Sequence, residues 1–447
     1  MVRAMPQNAL WSAWGADMKK TLTIWLFQTG EPLHIDLGNP RPMRAMNLAD
    51  ALIAAGHKVV LWSSAFYHQE KIHRAPSEQR TTVSPQFEIR LVPSSGYQRN
   101  IGLGRLWDHA VLAWNLSKLL GRESELPDVA FIGYPPIETA AVMTHWLSKR
   151  GVPSMLDVKD QWPTIFLTAL PERLQTVGRI ALAPYFYFGR RAMRDATALS
   201  AMAGGFLQWA ADFAGRPIGD LDMVVPLTTP SGQVSDVELT VAREWWQLRG
   251  VSADGKPRIC LIGSHTTAFD FVAVVEAAKA LSSHNSACEF IICGDGPSSE
   301  EWRRQAKDVS NIQFVGWVDR AQIEVLAEFS FATLAPYKNT KDFVMSIPNK
   351  VIDSLSLGLP VLSPLEGEVK TLIDVYGIGL GYGGRTGRTL AECIDTLVCD
   401  PSLRSDLSAN AMALYGERFA FEHVYGGLVG RLEVLGRRQS REARDEP

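Results

Sequence analysis

The segment from Ser346 to Leu362 places a lysine and an aspartate, Lys350 and Asp353, between Pro348 and the pair Gly358 and Pro360. Proline suits a first helical turn and glycine a helix end, so a helix is expected, with Lys350 and Asp353 on one face and Val351, Ile352 and Leu355 toward a core. Starting at a cleft, such a helix offers a cation for phosphate and a carboxylate for hydroxyls. The same spacing also suits an ordinary surface ion pair. Two glycine turns add to it: Gly263-Ser264-His265-Thr266-Thr267 after RICLIG, and Gly294-Asp295-Gly296-Pro297 after EFIICG. Glycine there lets a ligand reach backbone N–H groups, and a following helix start favours anions; a tight turn with no ligand is the alternative.

These residues need elements to hold them. Short apolar, β-branched runs alternate with helix-period segments, the pattern of βαβ units and parallel sheets, and the series runs twice. In the first half TLTIWLF leads through a long loop, Gln28 to Pro42, into the helix PMRAMNLADALIAAG and the strand KVVLW; FEIRLV, VAFIG, SMLDV and ATALSA are further strands. VPLTTPSGQV, Val225 to Val234, has the composition of an exposed connection. RICLIG, EFIICG, IQFVGW and FATLA, with helices between, make the second series. The expected class is α/β, with two Rossmann-like doubly wound domains: residues 1–17 an unstructured extension, 18–228 the first domain, 229–410 the second, and 411–447 a helix crossing back to the first domain, then a polar tail. Ligands bind such sheets beyond the strands' carboxyl ends. Neither half shows the G-x-G-x-x-G fingerprint, which argues against a dehydrogenase.

Composition narrows the function further. A net charge of -3 leaves no overall basic excess for a nucleic-acid backbone. The five cysteines form no metal-ligand spacing and read as buried thiols of a reducing cytosol. No run approaches the roughly 18 apolar residues of a spanning helix, so membrane contact is expected to be peripheral. Ile180 to Arg194 sets aromatics beside arginines, four counting Arg179, a mixture suited to a lipid interface or to a buried helix with a solvated end.

The string PNKVIDSLSLGLPVLSP, with GDGP and IQFVGW upstream, resembles the donor domain of family 4 retaining glycosyltransferases of the GT-B fold. LDVKDQWP resembles an element of the branch with bacterial fucosamine and related amino-sugar transferases, and RAMNLADALIAAGHKVVLW is similar to that family's first crossover. The resemblance implies two domains facing across a cleft and a metal-independent, retaining transfer from a nucleoside diphosphate sugar, with no cofactor. It implies an acceptor that is a glycan or polyprenyl-linked, in bacterial surface polysaccharide or glycoconjugate synthesis, at the cytoplasmic or inner membrane face. By position, Asp353 matches the acid that binds the donor ribose and Lys350 the lysine beside the diphosphate. Gly316 to Val318 matches the segment bordering the base, Gly367 in LEGEVKTLI the glycine beside the sugar and phosphates, and Asp160 an acid facing the reaction centre. The implied catalytic residues are Asp160 and Lys350. The implied donor set is Asp353, Lys350, Gly263, Ser264, Gly294, Gly296, Gly316, Val318 and Gly367, with backbone N–H groups of the Gly263 and Gly367 loops facing the diphosphate.

The sequence also departs from that family. Where it has two glutamates separated by seven residues, this chain has Met345 and Asp353, and Ser264 and Phe269 stand near the places of an Arg and a Lys. Two other readings stay open: a nucleotide-sugar-binding scaffold without chemistry, and a GT-B-type nucleotide-sugar epimerase.

Overall fold

The computed structural model describes residues 21–38, 40–100, 102–168, 170–229, 232, 234–283, 288–383 and 387–445; the expected extension 1–17 lies outside them. The first domain comprises β1 (Thr23–Phe27), α1 (Arg44–Ala54), β2 (Lys58–Ser64), β3 (Phe66–Tyr67), β4 (Ile72–His73), β5 (Gln79–Ser84), β6 (Phe87–Val92), α2 (Leu103–Leu120), β7 (Val129–Tyr134), α3 (Ile137–Ser148), β8 (Ser154–Val158), α4 (Thr164–Thr168), α5 (Glu172–Ala181), α6 (Ala183–Asp195), β9 (Ala198–Ala201), α7 (Gly204–Ala214) and β10 (Met223–Val224). Its eight-stranded sheet has the order β10-β9-β8-β7-β1-β2-β6-β5, with only β5 antiparallel to its neighbour. Both faces are covered. In β1, Ile24 and Leu26 enter a core shared with α1, while Trp25 and Phe27 enter a second core shared with α2 and α3. A strand buried on both faces has to be a continuous apolar run, which is why these strands stand out in the sequence.

The second domain comprises α8 (Asp236–Gln247), β11 (Arg258–Ile262), α9 (Phe271–Ser283), β12 (Glu289–Cys293), α10 (Ser299–Gln305), β13 (Ile312–Gly316), α11 (Arg320–Phe329), β14 (Ala332–Leu334), α12 (Lys341–Val344), α13 (Asn349–Ser356), β15 (Val361–Ser363), α14 (Glu368–Tyr376), β16 (Gly379–Gly381), α15 (Gly387–Cys399) and α16 (Pro401–Leu414). Its sheet is wholly parallel, in the order β13-β12-β11-β14-β15-β16. Ile259 and Leu261 enter one core and Cys260 the other, the same two-sided burial.

A π-helical turn (Tyr415–Phe419) joins α16 to α17 (Phe421–Asp445). The division expected at 410 falls inside α16, whose Leu407, Ala411 and Leu414 belong to the second domain's core. The return to the first domain begins beyond Phe419. There Val424, Tyr425, Leu428, Leu432 and Leu435 of α17 pack with α1, β1 and β7, and His57 Nε2 meets Glu433 Oε1 at 3.1 Å. The connection after β10 is not simply exposed. Val225 is fully buried, Thr228 Oγ1 donates to the Phe419 carbonyl at 2.5 Å, and the Thr229 and Tyr415 hydroxyls bond to each other. The outgoing and returning strands of the interdomain link are therefore tied together. Cys260, Cys288 and Cys293 are buried as expected, but Cys393 is half-buried and Cys399 exposed.

Because α17 supplies part of the first domain's core, Leu432→Ala leaves a cavity far along the chain from the sheet it covers. The expected loss is about 2–5 kcal/mol. Denaturant unfolding followed by circular dichroism measures it, and an unchanged midpoint would show that α17 is dispensable.

Candidate functional site

Strand order reverses between β11 and β14 in the second sheet and between β1 and β7 in the first. Those reversals open crevices at the carboxyl ends of the strands, where open α/β sheets bind ligands. Lys350 stands at the second sheet's crevice, on the first turn of α13 after its N-cap Pro348. Its ammonium donates to the Ile262 carbonyl at the end of β11 and lies 5.2 Å from the centre of the Phe269 ring. A Cβ on Gly263 would fall 1.6 Å from that nitrogen. Burial lowers the lysine to about 8, opposed by the Asp353 carboxylate.

Lys350 and Asp353 do not form the ordinary ion pair that their spacing allows. Asp353 Oδ1 instead takes Arg41 Nη2 at 3.4 Å, from the loop between β1 and α1 of the other domain. Burial pushes the Asp353 carboxyl up, while Arg41 and then Lys350 pull it down. One carboxylate thus joins the two walls of the cleft.

The glycine turns do something other than expected. Gly263 donates its N–H to the Cys293 carbonyl at 3.0 Å, Gly294 to the Gly316 carbonyl at 2.6 Å, and Gly296 to Asp295 Oδ1 and Ser299 Oγ, both at 2.8 Å. These N–H groups are taken by the protein, so within the Gly263 loop Gly263 itself does not offer its N–H to a diphosphate. A Cβ on Gly294 would lie 2.2 Å from the Gly263 oxygen and one on Gly296 2.5 Å from the His265 oxygen. Glycine is required there so that neighbouring loops can touch. Ser264 is exposed beside them, and Gly316, the last residue of β13, and Val318 just beyond it are half-buried on either side of the exposed Trp317. Gly367 is the N-cap of α14, with φ +72° and the Val344 oxygen 2.1 Å from where a Cβ would sit. Most of LEGEVKTLI is thus helix, and its first turn, which no side chain caps, faces the cleft near Gly204 of α7.

Across the cleft, Asp160 follows β8. Its Oδ1 accepts from Gln161 N at 2.8 Å and its Oδ2 from Trp162 Nε1 at 3.0 Å. Burial pushes this carboxyl up; the two hydrogen bonds pull it down, Asp342 of α12 raises it and Arg105 lowers it. Met345, at the position of the family's other glutamate, touches Gly205 at the start of α7, and its sulfur lies 3.4 Å from Gln161 Nε2. Met345 thus bridges the domains through van der Waals contact with Gly205 and a weak N–H to sulfur hydrogen bond from Gln161. A cavity of about 70 Å³ opens at the β1–β7 crevice. A larger one, about 560 Å³, lies between α2, α3 and α6, lined by Trp114, Trp146 and Phe188. It is on a helical face and not at the strand ends, so its size does not make it the reaction site.

Residues 256–400 match the family described as Glycosyl transferases group 1. That match lies within the second domain and covers about a third of the chain. No curated protein sequence matches the chain. Among solved structures, a sucrose-phosphate synthase from Thermosynechococcus elongatus aligns with a TM-score of 0.65 at 15% identity, over 94% of this chain and 100% of that one. Anabaena HepE in complex with UDP and glucose gives 0.58 at 16% identity over 92% and 100%. A UDP-forming α,α-trehalose-phosphate synthase from Burkholderia xenovorans gives 0.60 at 13% over 92% and 99%. The fold is GT-B: two Rossmann-like domains facing across a cleft.

Sequence reasoning missed Arg41, because a single arginine in a long loop carries no pattern that assigns it a partner 312 residues away. It also missed Arg105, which closes over Trp162 beside Asp160.

Lys350 is cationic below about pH 8 and loses its proton above it. A bound diphosphate favours the ammonium and raises that value, so affinity for a nucleoside diphosphate is expected to be flat up to about pH 8 and then to fall, by at most about tenfold per pH unit. Calorimetric titration from pH 7 to 9.5 checks this, and Lys350→Met should remove the dependence.

Proposed function

We propose that this protein transfers a sugar from a nucleoside diphosphate sugar to an acceptor hydroxyl, with retention of anomeric configuration and without a metal ion. The observation that carries the reading is a desolvated lysine at the switch point of a group 1 glycosyltransferase domain, with Asp353 one helical turn on and Asp160 on the opposite wall. In the reaction the bond from C1 to the diphosphate oxygen breaks, a bond from C1 to the acceptor oxygen forms, and the acceptor hydroxyl's proton passes to the departing diphosphate. Negative charge on the departing diphosphate is the main electrostatic burden, and a fixed cation in a poorly solvated place meets it at little reorganisation cost. Lys350 fills that role, helped by the open first turn of α14 at Gly367. Asp353 accepts hydrogen bonds from the ribose hydroxyls, and Asp160 positions a sugar at the reaction centre. HepE was solved with UDP and glucose, which makes uridine diphosphate sugars the first donors to try.

The acceptor in this reading is a glycan or polyprenyl-linked sugar of bacterial surface polysaccharide or glycoconjugate synthesis, met at the inner face of the membrane; an amino-sugar donor follows from the likeness of LDVKDQWP. No helix among the described residues is long and apolar enough to cross a membrane. The supporting feature is α5, which has no buried residue and exposes Leu174, Val177 and Ile180, with Tyr187 and Phe188 exposed on α6. Not all four arginines are available to lipid headgroups. Arg191 pairs with Asp195 at 3.4 Å and Arg194 Nε donates to the Ala214 carbonyl at 2.6 Å, leaving Arg179 and Arg190. In flotation with anionic vesicles, Val177→Asp with Ile180→Asp should abolish binding that the wild type shows; an unbound wild type would end the membrane part of the reading.

Met345 favours a second reading, a scaffold that holds the nucleotide sugar without turning it over. Asp353→Asn separates the two at the donor site. It exchanges a charged double acceptor for an amide and should weaken nucleoside, nucleoside diphosphate and nucleotide sugar alike by about 1.5–3 kcal/mol. Lys350→Met should weaken only the phosphorylated ligands. Calorimetry of both variants, with product analysis of the wild type, tests the assignment. Normal binding by a folded Asp353→Asn would overturn the ribose role, binding without turnover would favour the scaffold, and consumption of donor without acceptor would favour an epimerase.

A further inference from the structure

The first sheet's own crevice holds a group of cations that the donor chemistry leaves unused. The cavity of about 70 Å³ between the ends of β1 and β7 is lined by Thr29, Gly30, His68, Arg105, His109 and Pro136, among others. Arg105, on the first turn of α2, stacks over Tyr97 at 5.8 Å and Trp162 at 5.0 Å and donates to the Asn100 carbonyl at 3.0 Å. Its Nε is buried without a hydrogen-bond partner, and among the described residues its guanidinium meets no carboxylate in an ion pair. Lys71 stands behind it, 4.7 Å from the centre of the Tyr97 ring, its ammonium held by His68 O and Asn100 Oδ1, both at 2.6 Å. Lys71 is the one non-glycine residue described with positive φ, at +60°. Backbone strain of this kind persists where surrounding contacts hold it and collects at functional places.

Of the carboxylates here, Asp108, which lines the pocket, and Asp160 have hydrogen-bond donors of their own, while Glu138 is buried beside His109. Asp108 accepts from Gly96 N at 2.6 Å and Ser95 Oγ at 3.3 Å, Asp160 from Gln161 and Trp162, and Glu138 Oε2 faces His109 Nδ1 at 3.7 Å. Both burial and the neighbouring cations act on the imidazoles. Burial, then Lys71 and Arg105, lower His68 to about 4, and burial, then Arg105 and His68, lower His109 to about 3.

We propose that this crevice seats a phosphate group of the acceptor, gripped by Arg105 with Lys71 behind it, beside Asp160. At about 10–15 Å³ for each water-sized occupant, the space suits the five heavy atoms of a phosphate and is too small for a sugar ring, which extends instead into the cleft. Arg105 offers a planar fork suited to phosphate oxygens. The identity of the ligand as an acceptor rests on the transferase reading; the anion site itself does not.

The test uses the full chain saturated with nucleoside diphosphate, so that the Lys350 locus is already filled, and inorganic phosphate as the probe. Phosphate is expected to bind, to shift the His68 and His109 resonances and to raise the His68 pKa in a histidine-detected NMR titration. Arg105→Gln, checked for folding by circular dichroism, should lose at least tenfold in phosphate affinity together with those shifts, while Lys350→Met, held at the higher nucleoside diphosphate concentration its weakened site needs for saturation, keeps both. Phosphate binding unchanged in Arg105→Gln, or no effect on His68 in the wild type, overturns the proposal. Glucose 6-phosphate and farnesyl phosphate identify the source: tighter binding of the first points to a sugar phosphate and of the second to a lipid phosphate, and either supports the site. An intact phosphate site in a protein that turns over no donor would sink the transferase reading and leave this one standing.

Discussion

The second domain depends on one close approach: the Lys350 ammonium reaches the Ile262 carbonyl only because position 263 has no side chain. The loops after β11, β12 and β13 interlock through the same economy of atoms. Gly263 donates to Cys293, Gly294 donates to Gly316, and the Gly263 carbonyl lies against Gly294. A side chain at either glycine would push these loops apart and expel the lysine. Packed this way, the ammonium is poorly solvated, which costs it proton affinity and strengthens its field at a phosphate, since Coulomb energies grow as the effective dielectric constant falls. The packing of the sheet end and the chemistry of the cation are therefore one feature.

The first domain meets this site with a loop held at both ends. Asp157, fully buried, takes Arg44 at 3.3 Å, the Ser200 hydroxyl at 2.9 Å and Lys159 at 3.8 Å. Lys159 also pairs with Glu31, whose other oxygen accepts from Ala45 N at 2.9 Å. Asp36 is clasped by Arg74 at 2.6 and 2.7 Å. Each of these charges is compensated only by its neighbours, and removing one partner of a buried pair typically costs about 3–5 kcal/mol. The long loop from Gln28 to Pro42 is thus fixed at Glu31, Asp36 and Arg44, so that Arg41 is presented to the cleft by an anchored segment.

What could be read in advance follows from range. Two-sided burial forces strands such as RICLI, EFIIC and VAFIG into largely apolar runs, so both sheets, the parallel sense of all their strands but β5, and the place of α13 are visible in local pattern. The turn at Gly294 was legible as a turn but not in purpose, since glycine admitting a ligand and glycine admitting a neighbouring loop leave the same residue in the sequence. Arg41 with Asp353, Thr228 with Phe419, and α17 on the first sheet join residues that are far apart in the chain. No periodicity encodes such pairs. The division at 410 failed for a related reason: α16 and α17 are both helical with glycine-containing sequence between them, and only packing shows which core each one serves.

The departures at positions 345 and 353 acquire a physical meaning when taken together. Met345 lies against Gly205 and its sulfur takes the Gln161 amide N–H at 3.4 Å, so the side chain standing in the glutamate's place meets the other domain through a weak acceptor and not a charge. The second domain's wall thus keeps one acid at the cleft from that pair, Asp353, and Arg41 already offsets its charge. Arg41 is exposed and Asp353 half-buried, 57% and 36%, with the contact at 3.4 Å, and pairs near the surface contribute about 0–1 kcal/mol. The contact is therefore cheap to exchange. A donor whose ribose takes the carboxylate would release a guanidinium beside its own diphosphate, close to Lys350. On the proposed transferase reading, the cation that the resemblance implies after the first donor-domain strand, absent here at Ser264 and Phe269, would have a counterpart in Arg41 on the opposite wall. Such a counterpart would act only while the two domains are together, which on that reading would tie the grip on phosphate to the closure of the cleft.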